Sequence, residues 1–263
     1  MIIALLTDFG NRDWFVGVMK AVILKINPNV NIVDISHEIS PQNVNEAGFV
    51  LWNAYKHFPP KTIFVCVVDP KVGSERKIIA VETKEHIFIA PDNGLLNLVL
   101  SEVEPLRAVY VENKEYFLKD ISSTFHGRDI FAPVSAYISR GVDIDELGSK
   151  AELSLTKTIF IDVSSAGDYT GEIIYIDRFG NLITNLKVFG KIEGEVRFKE
   201  YIIEKISTAY ADVNPGQVVA LVNSSNLLEI GIRNGNAKEF FKANYGESFI
   251  AKIKQVIKDH SKQ

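Results

Sequence analysis

The chain has 263 residues, of which 46% are hydrophobic and 24% charged, and its formal net charge is −4. These values are typical of a globular protein with one large or two modest domains, and the length is ample for a packed core. The slightly negative net charge argues against nonspecific electrostatic binding to nucleic acid or to an anionic membrane, so we expect neither as a partner.

The first half of the chain alternates short apolar segments, rich in Val, Ile and Phe, with longer segments of helical spacing. Strands that are apolar throughout and separated by helices indicate a mostly parallel sheet covered on both faces. The pattern predicts strands at 2–7, 31–36, 62–68, 77–83, 86–90 and 108–112, and helices at about 13–27, 43–57, 93–104 and 128–140.

From about residue 166 the pattern changes to short alternating pieces broken by Gly and Asn, which is typical of a small antiparallel barrel or sandwich. The polar segment SSAGD (164–168) is the expected connector. We therefore expect an α/β fold with two domains. An N-terminal domain over 1–157 has a mostly parallel sheet flanked by helices, and a small C-terminal antiparallel β-barrel domain covers 166–258.

The number of cysteines and the first ten residues both help to predict the cellular compartment of the protein. Cys66 is the only cysteine, so it can form neither an internal disulfide nor a thiolate metal site, which favours a reducing compartment. The opening MIIALLTDFG has no basic flank and too short an apolar run for a signal peptide or a membrane span. We expect a cytoplasmic protein.

Three predicted strands of the first half end in an aspartate: Asp8, Asp69 and Asp92. In an open parallel sheet, ligands bind in the crevice beyond the carboxyl ends of the strands, where these carboxylates would converge. Each could instead cap a turn or a following helix. As a set, they could bind a metal or accept hydrogen bonds from the vicinal diol of a ribose. The chain lacks G-x-G-x-x-G and G-x-x-x-x-G-K, so a nucleoside without phosphates fits better than a nucleotide.

His126, in SSTFHGRDIFAP (122–133), has neighbours that suit a pocket, and Gly127 permits close backbone approach. The segment after Asp69 supplies Arg76. An Asp, an Arg and a His can hold and polarise a water without a metal, with Asp69 or His126 taking its proton. His126 and Asp129 could also be metal ligands, although the spacing typical of metal sites is missing. The other histidines lie in plain turn, helix-end, strand-start and tail contexts and are not expected to be functional: His37, His57, His86 and His260.

Seven motifs, in order along nearly the whole chain, resemble the S-adenosylmethionine hydroxide adenosyltransferases, a family related to the fluorinases and chlorinases. The most specific are FHGRD and DRFGN, whereas TDFG alone is weak. The matching segments are TDFG (7–10), VVDP (67–70), SER (74–76), PDNG (91–94), STFHGRDIFAP (123–133), IDRFGNLITN (176–185) and NSSNLLEIGIRNGNA (223–237).

The resemblance implies hydrolysis of S-adenosylmethionine to adenosine and L-methionine, without a cofactor or a metal. It also implies a homotrimer, with sites between the N-terminal domain of one subunit and the C-terminal domain of the next. Carried over by motif, Asp69, Arg76 and His126 activate the water and Asp8 holds the ribose hydroxyls. Near the methionine group lie Asp13, Asp177 and Ser225, and near adenine lie Asn181 and Phe179. The remaining substrate-binding candidates from the matched motifs are Asp92, Asn93, Thr124, Phe125, Glu229 and Arg233.

Two positions separate the hydrolases from the halogenases that the chain also resembles. The halogenases carry a Tyr-Ser pair where this chain has Phe125, His126 and Gly127, and a Tyr where Asp69 stands. A halide here would face the charge of Asp69, which favours water as the nucleophile. Asn226 follows Ser225 where halogenase relatives have an arginine for the methionine carboxylate. A halogenase and a non-catalytic adenosine or S-adenosylmethionine sensor remain the alternatives.

Overall fold

The structure is a computed structural model that describes residues 1–153 and 158–257. The chain divides into two compact units, with the boundary between Thr158 and Ile159. The expected domain limits at 157 and 258, and His260, lie outside the described residues. Within the described ranges, no helix is long and apolar enough to cross a membrane.

The first unit is built on a six-stranded sheet with helices. Its strands are β1 (Ile2–Thr7), β2 (Asn31–Ser36), β3 (Ile63–Val67), β4 (Ile78–Thr83), β5 (Ile87–Pro91) and β6 (Pro105–Tyr110). Its α-helices are α1 (Phe15–Ile26), α2 (Val44–Ala54), α3 (Asn97–Leu100) and α4 (Ala132–Ser139).

The strand order is β2-β1-β3-β5-β4-β6, and the first four strands are parallel to one another. β4 is antiparallel to both β5 and β6, so the sheet is mixed and mostly parallel, which confirms the expected class. Only three residues, 84–86, connect β4 to β5. A connection this short can join only antiparallel neighbours, whereas a parallel pair needs a crossover of a dozen or more residues.

Two expected helices differ from those observed. The segment expected to be helical over 93–104 forms only α3, because Gly94 has a φ of +92° and a turn precedes the helix. The segment expected over 128–140 begins as a π-helix over Gly127–Phe131 and continues as α4. Five residues make about one turn of a π-helix, which is too short to leave a period of its own in the sequence, so the pattern could not reveal the wider turn.

Both faces of the sheet are covered, as expected for strands without a polar face. Ile3 and Leu5 of β1 belong to one core cluster with Met19 of α1 and Val134 of α4. The alternate residues of β1 are also fully buried, and α2 contacts β1 and packs against α3. The carboxyl ends of β1, β3 and β5 are therefore held side by side on a rigid support.

We expect acid to destabilise the first unit through His86, which is 4% exposed and lies against the rings of Tyr55, Phe64 and Phe88. Burial lowers the pKa of His86, with Glu85 partly opposing it. The unfolded chain takes up this proton near the ordinary value of about 6.5, and the folded chain only at lower pH. The contribution of the neutral ring to the free energy of unfolding is complete above about pH 6.5. This contribution is lost as the pH falls toward the lowered pKa.

Urea unfolding at about pH 7.5 and about pH 5 measures this effect. The wild type should lose more stability between the two pH values than His86→Leu, whose side chain does not titrate. Equal losses in the two proteins would contradict the assignment.

The second unit is a nearly closed, barrel-like sheet, mostly antiparallel, which confirms the expected class of the second half. The strand order is β11-β10-β15-β8-β9-β14-β13-β12, with β7 paired to β9. The segment 164–166 separates β7 from β8, so the residues expected to form the connector lie inside this unit. The elements are β7 (Ile161–Val163), β8 (Gly167–Ile176), β9 (Leu182–Val188), β10 (Lys191–Phe198), β11 (Tyr201–Ile203), β12 (Ile206–Ser207), β13 (Val218–Val222), β14 (Leu227–Ile232), α5 (Ala237–Phe241) and β15 (Ser248–Ile257).

Candidate active site

The three strand-ending aspartates lie at one edge of the first sheet, because β1, β3 and β5 are adjacent and parallel. Asp8 and Asp69 line a single cavity of about 320 Å³, and Asp92 is not among its lining residues. Burial raises the pKa of Asp92. The expected convergence therefore holds for Asp8 and Asp69.

Arg76 joins Asp69 to His126. Its Nε donates to Asp69 Oδ2 at 2.6 Å, and its Nη2 lies 2.5 Å from the same oxygen. Nη2 also lies 2.8 Å from His126 Nδ1. The side chains of Arg76 and Asp69 are only 8% and 5% exposed, so the ion pair is largely shielded from water. The structure thus brings together the three residues that sequence reasoning grouped.

Gly73 allows this meeting of segments that lie fifty residues apart. Its φ is +79°, and a Cβ at this position would lie 2.2 Å from the carbonyl oxygen of Ser123. Only glycine combines that left-handed backbone with so close an approach. The loop that carries Arg76 can therefore lie directly against the segment that leads into His126.

The contact with Arg76 defines the tautomer of His126. A guanidinium has only donors, so Nδ1 accepts the hydrogen bond and the ring proton is on Nε2. Burial, and then the Arg76 charge, lower the pKa of His126, with Asp69 and Asp129 partly opposing them, and the net shift favours the neutral ring. Asp69 Oδ1 accepts the Lys71 backbone N–H at 3.2 Å and, as a carboxylate oxygen, retains capacity to accept a second hydrogen bond. Asp69, rather than His126, is therefore the group placed to receive a proton.

His126 precedes the π-helix, a helix type that often marks functional sites. Asp129 in this helix is fully buried, and its Oδ2 accepts hydrogen bonds from the backbone and the hydroxyl of Ser122 at 2.8 and 2.7 Å. Asp129 thus holds the segment before His126 and is not a free metal ligand. A Cβ on Gly127 would lie 3.2 Å from both Met19 Sδ and Phe9 Cε2, so a larger residue would crowd the cavity wall.

Asp8 is the second carboxylate in the lining of the cavity. Its Oδ2 accepts the backbone N–H of Gln42 at 2.7 Å. Burial, with the charge of Asp69, raises the pKa of Asp8. The lining that sequence reasoning missed includes Phe9, Phe15, Pro41 and Gln42. In the sequence, these residues are marked only by lying near Asp8 or near a turn. Many residues share that property, so it does not identify a pocket.

Three rings form an apolar wall beside these carboxylates. Phe125, one of the expected site residues, makes edge contacts with Phe9 at 5.9 Å and with Phe15 at 5.1 Å between ring centroids. Thr124 also lines the cavity. A cavity with two carboxylates and aromatic faces suits a cation that carries apolar groups.

Two other expected residues of the first unit have different surroundings. Asn93 donates from Nδ2 to the Val68 carbonyl at 3.0 Å and accepts from the Leu95 N–H at 3.2 Å, so its side chain holds the turn after β5. Asp13 is exposed in the loop between β1 and α1 and does not line the cavity.

In the second unit, Asp177 organises the DRFGN turn. Its Oδ1 accepts from the backbone N–H groups of Phe179 and Asn181, both at 2.9 Å, and its Oδ2 accepts from Asn181 Nδ2 at 2.8 Å. Phe179 at the tip is 73% exposed. The hydrogen-bonded turn therefore presents an exposed aromatic ring to its surroundings.

Glu229 and Arg233 are held by partners inside the second unit. Glu229 is buried, which raises its pKa, and it accepts hydrogen bonds from Tyr210 and Asn223. Arg233 Nη1 donates to the carbonyl of Val213 at 2.6 Å. Tyr210 and Asn223 were not predicted. Their role appears only in the folded structure, where both side chains donate hydrogen bonds to Glu229.

Ser225 lies in the turn between β13 and β14, where its backbone N–H donates to Asn223 Oδ1 at 2.9 Å. Within residues 1–153 and 158–257, no three His, Cys, Asp or Glu side chains are placed to hold a metal ion. The Arg76 cation also occupies the position between Asp69 and His126 that a metal would need.

Comparison with known proteins gives the class of protein that this fold and site define. Models of the N-terminal and C-terminal domains of the SAM hydroxide adenosyltransferases match residues 3–148 and 171–250. The chain belongs to this family, which confirms the resemblance found in its motifs.

Individual relatives agree with this assignment. The chain is 37% identical to the (R)-S-adenosyl-L-methionine hydrolase of Methanocaldococcus jannaschii, with 93% of each chain covered. It is 30% identical to a fluorinase of an Actinoplanes species over 70% of this chain and 71% of that protein. A crystal structure of a conserved protein from Thermotoga maritima superposes with a TM-score of 0.84 at 36% identity, covering 95% of this chain and 99% of that one.

Proposed function

We propose that this protein hydrolyses S-adenosyl-L-methionine to adenosine and L-methionine. The observation that carries the proposal is the shielded group of Arg76, Asp69 and His126 beside the cavity that Asp8 also lines. Relatives named as S-adenosylmethionine hydrolases match over most of the chain.

In the proposed reaction, a water oxygen attacks the ribose 5′-carbon as the bond from that carbon to sulfur breaks. The sulfonium leaves as the neutral thioether of methionine and takes the electron pair, so neither an acid nor a metal is required. The water proton passes to Asp69 Oδ1, and the Nε2–H of His126 donates to the water oxygen. Orientation of the water can supply about 7–11 kcal/mol in the best cases, and a general base roughly 10²–10⁴-fold.

The other expected residues would bind the substrate. Asp8 holds the ribose hydroxyls, and the aromatic wall with Phe125 and Thr124 surrounds the reacting carbon. Positive charge is lost as the bond breaks, so an apolar wall favours the transition state over the cationic substrate. We assign the methionine end to Asp13, Asp177 and Ser225, and adenine to Asn181 and Phe179. In supporting roles we place Asp92, Asn93, Glu229 and Arg233.

We also propose a homotrimer, in which the second unit of one subunit completes the cavity on the first unit of the next. The exposed Phe179 on a rigid turn supports this arrangement. Light scattering on the purified protein tests it, and a monomer that is active at all concentrations would contradict it.

The single buried Cys66 fits a reducing compartment, and we place the protein in the cytoplasm.

One experiment tests the reaction against its alternatives. The purified protein is incubated with S-adenosylmethionine in ¹⁸O-water, with and without chloride or fluoride, and the products are identified by mass spectrometry. We expect adenosine with ¹⁸O at the 5′ position, and no loss of activity after treatment with a chelator. A halogenated nucleoside would identify a halogenase, and tight adenosine binding without turnover would identify a sensor.

The value of kcat/KM is expected to fall on the acid side, because the proposed reaction uses the neutral form of His126. Its pKa lies below the ordinary value, since burial and Arg76 both disfavour the cation. Activity should therefore be level above about pH 6.5 and decline only as the pH falls toward the lowered pKa. A pH–rate profile of the wild type and His126→Asn checks this. The variant keeps an acceptor for Arg76 but cannot titrate at this position, so its residual activity should begin to decline at a lower pH than that of the wild type. Wild-type activity that rises on acidification would overturn the assignment.

A further inference from the structure

The loop that follows β1 carries Asp8, and its backbone is held by two hydrogen bonds. The N–H of Phe9 donates to Thr7 Oγ1 at 3.2 Å, and the N–H of Gly10 donates to the His37 carbonyl at 2.7 Å. Gly10 has a φ of +66°, a left-handed backbone that glycine adopts without strain. The position of the Asp8 carboxylate thus depends on what Thr7 and His37 contact.

Thr7 and His37 also contact each other. Thr7 Oγ1 lies 2.8 Å from His37 Nδ1, and the two residues are 0% and 2% exposed. Nε2 of His37 faces the Asp34 carboxylate, which can only accept, so Nδ1 of the neutral ring is left as the acceptor of the Thr7 O–H. The ring proton of His37 is therefore on Nε2, and each group in this chain has a defined donor or acceptor role.

A third residue faces the protonated side of the ring. His37 Nε2 lies 3.0 Å from Asp34 Oδ1, an electrostatic contact whose alignment falls short of a hydrogen bond. The other carboxylate oxygen of Asp34 accepts from Lys20 Nζ of α1 at 2.6 Å. The chain of contacts therefore runs from α1, through the end of β2, to the loop that carries Asp8.

The arrangement of Thr7, His37 and Asp34 has the order of a nucleophilic triad, but Thr7 cannot act as a nucleophile. Its hydroxyl is fully buried, and its oxygen accepts a backbone N–H. A nucleophilic oxygen must reach a substrate atom, which this one cannot do. The contacts of this arrangement instead hold the backbone of the loop after β1, through the N–H groups of Phe9 and Gly10.

We infer that Thr7, His37 and Asp34 are positioning residues that hold the Asp8 carboxylate against the substrate's ribose. The inference rests on the proposed ribose contact of Asp8. It adds a role for His37, which sequence reasoning placed among the histidines without function. Asp8 is also tethered on its own Oδ2 by the Gln42 N–H, so loss of the Thr7 hydroxyl misplaces the carboxylate without releasing it.

The test is Thr7→Val, which keeps the shape of the side chain and removes the hydroxyl, alongside Thr7→Ser, which restores it. Thr83 provides a matched control. It is a buried threonine at the end of β4, its hydroxyl bonds with both the N–H and the carbonyl of His86 at 3.0 Å, and it lies beside the start of β5 at the opposite edge of the sheet. Thr83→Val therefore reports what the loss of a buried hydroxyl costs in stability alone.

We expect Thr7→Val to raise KM for S-adenosylmethionine and Kd for adenosine by roughly tenfold, the effect of one lost hydrogen bond, with a much smaller change in kcat. Thr7→Ser and Thr83→Val should keep wild-type values of both constants, although Thr83→Val should lower Tm about as much as Thr7→Val. Unchanged KM and Kd in Thr7→Val, with Tm lowered as in the control, would overturn the inference. The adenosine Kd needs no turnover, so it tests the inference even if the wild type fails to hydrolyse S-adenosylmethionine, the result that would contradict the proposed function.

Discussion

Asp69→Asn is expected to slow adenosine formation by about 10²–10⁴-fold, the usual contribution of a general base, while adenosine still binds. The amide has nearly the shape of the carboxylate, and its oxygen can still accept from Arg76. It cannot take a proton from water, however, and it lacks the charge that orients the Arg76 cation toward His126. A single-turnover assay of adenosine release, with a calorimetric Kd for adenosine, measures both effects.

The matched control for this variant is Glu82→Gln. Glu82 accepts from Arg107 Nε at 2.7 Å, so it is also one half of an arginine–carboxylate pair, but it lies on β4 away from the cavity. Glu82→Gln should leave kcat and adenosine affinity unchanged, because only a carboxylate next to the reacting water can affect the chemical step. Wild-type kcat in Asp69→Asn would remove Asp69 from its proposed role and leave the identity of the base open to another group.

Arg76→Met is expected to abolish measurable turnover and to lower the free energy of unfolding by about 3–5 kcal/mol. The change leaves the Asp69 carboxylate, only 5% exposed, without its counterion. A buried charge without a partner costs far more than the surface pairs of this chain, which contribute roughly 0–1 kcal/mol each. Urea unfolding and the adenosine assay, carried out on the same preparation, measure the two losses.

The double variant Asp69→Asn, Arg76→Met separates the two effects. It has no charge at either position, so part of the lost stability should return, because the unpaired buried carboxylate is gone. Activity should not return, since neither the base nor the donor to His126 Nδ1 is present. A double variant with restored turnover would show that the pair has a structural role alone.

Much of the candidate site could be predicted from local sequence. Asp8 and Asp69 each follow a short apolar run, and parallel strands bring their carboxyl ends to one edge, so the proximity of these carboxylates needed only the strand pattern. Arg76 follows Asp69 closely enough that a short loop returns it to the same edge. The antiparallel pairing of β4 and β5 could also have been predicted from the sequence. The gap between the predicted strands at 77–83 and 86–90 is too short for the crossover that a parallel pair needs.

The other residues depended on contacts between distant parts of the chain. Asn93 looked like a substrate ligand from its motif, but its side chain is taken up by Val68 and Leu95. His37 looked like an ordinary turn residue, but it contacts Thr7 thirty residues away. Neither outcome has a local signal, since any polar side chain in a turn can face either solvent or a neighbouring segment.

The amino-acid sequence by itself determined the two-part architecture, the family and the grouping of Asp69, Arg76 and His126 as candidate site residues. These follow from hydrophobic periodicity and from motifs that are local along the chain. The tertiary structure alone decided which nitrogen of His126 carries the proton, and therefore that Asp69 is the proposed base. A tautomer depends on the donor that faces the ring, and Arg76 reaches that position only because Gly73 lets its loop lie against Ser123.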